Sequence, residues 1–128
     1  MAAKSIYLDD ALLNHVLRNV AMTSPATVYA ALFTVAPTPS TSGTEVTGGS
    51  YARVATTFGV PASGVSTNSA PVAFPTATAN WGTVVAVALF DAAVAGNILY
   101  FGLLTTAKAV DNGDTASFAA TALSITEQ

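Results

Sequence analysis

From residue 27 to residue 125 the chain runs as short stretches rich in Val, Tyr, Phe and Thr, parted by clusters of Gly, Pro and Asn. Strand-forming side chains broken at this spacing predict a mainly β unit, an antiparallel β-sandwich or a jelly-roll-like barrel, rather than packed helices. Five or six strands are expected, over residues 27–34, 51–58, 70–74, 83–90, 98–104 and 117–125. Two longer connections interrupt them, 36–50, rich in Pro, Thr and Gly, and 61–69, rich in Ser, Gly and Asn. Connections of this length are commonly functional, and here they read as contact arms. Asp111, Asn112, Gly113 and Asp114 form a compact turn, because Asn-Gly takes positive φ readily; the turn is expected to join the last two strands as neighbours.

One segment departs from this pattern. Over residues 9–22, Leu12, Val16 and Val20 share a face, with Leu13 and Leu17 beside them, the spacing of an amphipathic helix. Asp9 and Asp10 at its start and Arg18 near its end suit the helix dipole, and either Asp could cap it. Pro25 stops it, since the residue before a proline avoids helical backbone. The whole, 1–128, is expected to be one domain: an N-terminal arm over 1–8, the helix over 9–22 and the β unit over 27–125.

The outer surface of such a domain must carry little charge. Charged residues are 9% of the chain, against about 25% in ordinary soluble domains. Thr, Ser, Asn and Gly take their place, and these desolvate more cheaply than ions, which suits a protein embedded in protein contacts. The net charge of −3 includes only four cations, Lys4, Arg18, Arg53 and Lys108, scattered along the chain. Phosphate-binding faces need cations close together, so neither nucleic acid nor an anionic membrane is expected as a partner. The longest apolar run, 84–95, contains Asp91 and falls short of the ~20 residues that span a bilayer. The first ten residues lack the apolar core of a secretory signal, so export by the general secretory route is not expected. The absence of cysteine agrees with a reducing compartment.

Catalytic chemistry finds few residues to use. His15 is the single histidine and lies in the helix, where a surface role explains it better than catalysis. Asp9, Asp10, Asp111, Asp114 and Glu127 fall at a helix start, a turn or a terminus, leaving Glu45 and Asp91. Asp91 ends a predicted strand and is expected to bind turn amides. Asp111 and Asp114 resemble a fragment of a calcium loop without its remaining ligands. The glycines over 43–49 lack the Gly-Lys-Ser/Thr of a phosphate loop. No catalytic, cofactor-binding or metal-ligating residue is assigned, and the protein is expected not to be an enzyme.

With no chemistry to follow, whole phrases of the sequence carry more. LLNHVLRNVAMTSPATVYAALFTVAPTP over 12–39, GTEVTGGSYAR over 43–53, FPTATANWG over 74–82, LFDAA over 89–93 and GNILY over 96–100 together resemble short virion structural proteins of tailed bacteriophages, commonly labelled tail fibre proteins. The resemblance covers most of the chain, carries no catalytic motif, and implies a structural component of the virion, assembled in the cytoplasm of the bacterial host. Two placements compete. A fibre should show a shaft repeat or a coiled coil, neither of which is present; a compact β domain of this size fits a capsid decoration (cement) protein binding across capsomers, often as a homotrimer. Decoration is therefore the leading expectation, with the major capsid protein, other virion proteins and further copies of the chain as partners. A tail fibre or tail-tip adhesin that binds the host surface is the alternative. The arm over 1–7, including Tyr7, and the 36–50 connection are the expected contact elements. Tyr51, Arg53 and Trp81 are the expected contact anchors, being of the residue types enriched at interface hot spots; the competing reading makes them ordinary core and surface.

Overall fold

The computed structural model describes residues 3–127. Its elements are β1 (Ala3–Lys4), α1 (Ile6–Leu17), β2 (Val28–Val35), β3 (Thr44–Glu45), β4 (Val54–Thr56), β5 (Val65–Thr67), β6 (Val72–Ala73), β7 (Gly82–Phe90), β8 (Ile98–Val110), β9 (Ser117–Phe118) and β10 (Ser124–Thr126). The main sheet runs β1-β8-β7-β2-β3, with β4 also paired to β2, and every pairing is antiparallel. Two small sheets, β5 with β10 and β6 with β9, form the second layer.

The strands β2 and β7 are almost continuously apolar, which suits strands covered on both faces. Alternate residues divide accordingly, with the alternation on β7 switching phase at the register shift between Val84 and Ala86. Ala30, Leu32, Val84 and Leu89 enter a core completed by Val72, Phe74, Ala77, Trp81, Val110 and Leu123, with Phe118 and Ile125 of the second layer packed against it. This is the sandwich of the two expected alternatives. Ala31, Phe33, Ala86, Ala88 and Phe90 form a second cluster on the opposite face, where the Phe33 and Phe90 rings stack at 6.1 Å.

Several local expectations are revised. The helix starts and ends earlier than 9–22, because Ser5 is its cap: its Oγ accepts from the Leu8 amide at 3.2 Å. Asn19, at φ 57°, takes the left-handed conformation that ends it, ahead of Pro25. The expected strand over 117–125 is two strands with different partners, and β9 pairs with β6. The 111–114 turn therefore does not link neighbours; the long hairpin is β7–β8. There Asp91 does bind the turn, its Oδ1 accepting from the Asn97 amide at 2.7 Å. Along that hairpin the register jumps from Val84 opposite Lys108 to Ala86 opposite Leu103, so β8 carries a bulge over 104–107.

The two long connections also fold onto the domain. The first contributes β3 to the main sheet. At its Gly43, φ +61°, an added Cβ would lie 2.3 Å from the Val35 carbonyl oxygen, which only glycine tolerates. The second contributes β5 and the fully buried Asn68. The Asn68 Nδ2 donates to the carbonyls of Ala70 (2.9 Å) and Ala119 (3.0 Å), and its Oδ1 accepts from the Leu123 amide (2.9 Å). That side chain satisfies irregular backbone that no strand pairs, so the second layer holds together with very short strands.

Candidate assembly surface

Of the four expected contact residues, the three anchors have their polar groups bonded inside the chain. Trp81 is 6% exposed, its Nε1 donating to the Gly49 carbonyl at 2.9 Å, and it meets the Tyr51 ring edge-on at 5.3 Å. The Tyr51 hydroxyl donates to Glu45 Oε2 at 2.7 Å and accepts from the Leu32 amide at 3.0 Å. Burial, and then the Glu45 carboxylate, push that hydroxyl's pKa well above the ordinary tyrosine value.

Arg53 grips Glu45 through two bonds, Nε to Oε2 at 2.9 Å and Nη2 to Oε1 at 2.8 Å. Its Nη1 donates to the Ala92 and Ala95 carbonyls at 2.9 and 2.7 Å, and the guanidinium lies 3.5 Å from the centre of the Phe90 ring. The cluster ties the first connection and the β7–β8 hairpin to the main sheet. The polar groups of these residues are already paired within one chain.

Tyr7 is the exception, at 45% exposure on α1. Within the expected arm, Ala3 and Lys4 form β1 on the outer edge of β8, and Tyr7 lies in the helix; residues 1 and 2 lie outside the described residues. Lys4 contacts Glu127 and lies 3.7 Å from Asp9, while Glu127 also accepts from the Tyr100 hydroxyl. The two ends of the described chain are thereby clasped beside β8.

The helix supplies what residue types alone did not single out. Of the apolar residues that reveal it in the sequence, Leu12 is half-buried and the others are turned to solvent. Only Leu8 is buried on α1, whereas Ile6, Leu13, Val16 and Leu17 are 48, 55, 72 and 73% exposed, and Val20, just past its end, is also exposed. At 100° per residue Ile6, Leu13 and Leu17 fall on the side of the helix opposite Leu8, with Val16 on the flank. Six of the ten large apolar side chains found exposed among the described residues lie between Ile6 and Val20. Scattered exposed apolar residues are normal; a contiguous stripe marks an interaction surface. An open groove of about 520 Å³ runs between β8 and the 115–125 segment and is lined by Tyr100, Leu104, Phe118 and Ile125 among others.

His15 is exposed on α1, its Nδ1 facing the Met22 amide at 3.4 Å. The Asp114 carboxylate accepts from the Asp111 amide at 2.9 Å, closing their turn. Among the described residues no three His, Cys, Asp or Glu side chains gather as a metal site would require, and no helix is long and apolar enough to cross a membrane.

No curated protein matches the sequence. Residues 3–126 match the family model Gp80, described as podophage GP4 fiber I protein gp80. That name favours the fibre placement over the capsid decoration that led the sequence-based expectations. With the match spanning nearly the full chain, the protein belongs to this family of podophage fibre proteins and is a structural component of a short-tailed phage virion.

Proposed function

We propose that the chain is a non-enzymatic subunit of the fibre apparatus at the tail of the virion, held there by protein–protein contacts. The observation that carries this reading is the family match over residues 3–126. The exposed apolar side of α1 supports it, since it offers a contact surface while the polar groups of Glu45, Tyr51 and Arg53 are spent within the fold. The sparse charge agrees, because few ions must be dehydrated when such a subunit is buried among others.

Antibody against the purified protein, followed by gold labelling of intact virions, tests the placement. Label confined to the tail is the expected result. Label on the capsid surface, together with rescue of capsids lacking the protein against heat, would replace this reading with decoration.

A further inference from the structure

We infer that β1 and α1, residues 3–17, are an exchangeable unit that seats on β8 of a second copy, while the second copy's unit seats on β8 of the first. The inference rests on the fibre reading only for its setting; the geometry is that of the single chain. What fits the outer edge of β8 is visible in the fold, because the chain's own β1 lies there, Ala3 opposite Phe101 and Lys4 opposite Tyr100. The Ser5 amide donates to the Leu99 carbonyl, the Ser5 hydroxyl to the Ile98 carbonyl, the Ile6 amide to the Pro39 carbonyl, and Lys4 pairs with Glu127. All these bonds join the unit to residues far along the chain, so an identical unit from another copy makes the same set.

The unit is lightly held and its tether is free of the sandwich. Only Ser5 and Leu8 of the unit are buried, so lifting it exposes little apolar surface and belongs with the easier local openings of a fold. The connection 18–27 carries no helix or strand, and of its residues only Met22 and Pro25 are even half-buried. Its hydrogen bonds run from the Arg18 and Val20 amides to the Asn14 carbonyl, from the Arg18 guanidinium to the Asn14 side chain and from the Met22 amide to His15. Among the described residues, all of them lead back to α1 and none to the sandwich. Ten extended residues reach about 33 Å, enough to carry the unit to an adjoining domain.

Contacts at the seat are the same in the closed and exchanged forms, so the two differ in the connection and in the entropy of association. Asn19, at φ 57°, holds the left-handed turn that folds the connection back along α1, while Ser24 before Pro25 favours extended backbone. Straightening the connection releases the Asn19 conformation, and short hinges under strain are those that invite exchange. The closed chain also leaves Leu13, Val16 and Leu17 in solvent, and a second body beside α1 can only lower that exposure. Copies held side by side in a virion have a high effective concentration, which offsets the entropy of association.

Sedimentation equilibrium of the full chain across the micromolar range should show association, and two sets of variants identify its origin, with circular dichroism to verify folding. The chain has no cysteine, so Ala3→Cys with Phe101→Cys, set opposite each other in an antiparallel pair, can form one disulfide, within a chain or between chains. Oxidation should give covalent dimers or larger species on a non-reducing gel. Because Phe101 contributes to packing, the second set leaves the core intact. Lys4→Glu and Glu127→Lys each place like charges at the seat, and in a mixture of the two variants opposite charges meet only across chains. The mixed pair should form about tenfold more tightly than either variant with itself. Wild type that stays monomeric, disulfides confined within single chains, or variants that gain nothing on mixing would overturn the inference. None of those outcomes bears on the labelling result, so the two readings fail separately.

Discussion

Glu45→Ala should be among the most damaging single changes in the chain. The Arg53 side chain is 9% exposed and that of Glu45 22%, so the pair sits largely out of solvent. Removing one member of a fully buried pair costs about 3–5 kcal/mol, because a charge is left without its counter-ion. Two features lower that figure here: Glu45 keeps partial solvent access, and Arg53 retains the carbonyls of Ala92 and Ala95 and the Phe90 ring. One raises it, since the Tyr51 hydroxyl loses its acceptor, worth about 1 kcal/mol. A net loss of about 3 kcal/mol is expected, a fall in Tm of roughly 10 °C for a domain of this size. The assay is a double-mutant cycle by urea unfolding of Glu45→Ala, Arg53→Ala and the double variant. Coupling of about 2 kcal/mol is expected, with the double variant much less damaged than the two single losses added. Coupling below about 0.5 kcal/mol would show that the pair behaves like any solvent-screened surface bridge and refute the reasoning.

Asn68→Ala should cost about 3 kcal/mol in the same unfolding assay, because the Ala70 and Ala119 carbonyls and the Leu123 amide all lose their buried partner; a loss near zero would mean water replaces it. Gly49→Ala should lower Tm and shift Trp81 fluorescence, as the new Cβ would lie 2.7 Å from the indole Nε1 at a residue with φ +56°; an unchanged spectrum and Tm would contradict that crowding. Glu127 gives a pH dependence. Burial raises its pKa, but the hydrogen bonds from Lys4 and Tyr100 outweigh this and hold it below the ordinary value. A carboxyl with a lowered folded-state pKa stabilises the fold above the unfolded value of about 4.3 and loses that contribution as pH falls through the folded value. Protection of the Ser5 amide, which donates to the Leu99 carbonyl, should therefore fall on acidification once the slower intrinsic exchange in acid is divided out, and Glu127→Gln should remove the effect; identical profiles would sink it.

Several elements were legible because their signals are local. The apolar runs of β2 and β7, the Asn-Gly turn and the heptad-like spacing of α1 depend on residues a few positions apart, and all three are present as elements. The short strands β3, β5 and β9 were not. They pair only two or three residues each, β5 and β9 with strands more than 40 positions away, and the bond from the Leu123 amide to the Asn68 side chain spans 55 positions. Ser5, rather than Asp9 or Asp10, caps the helix because the β1 pairing fixes it against Leu99, a long-range contact that local spacing does not carry.

By itself, then, the sequence determined a β-rich domain with one leading helix, a surface poor in ions, and a likeness to phage virion proteins. Only the tertiary structure decided which way the important side chains face. Periodicity shows that a helix has an apolar side without stating what that side meets, and α1 buries Leu8 while leaving Leu13, Val16 and Leu17 in solvent. Residue type likewise marks Tyr51, Arg53 and Trp81 as capable of anchoring a contact. Their position around Glu45 and Gly49 made that contact internal, because the partners that satisfy them come from connections folded back onto the same sheet.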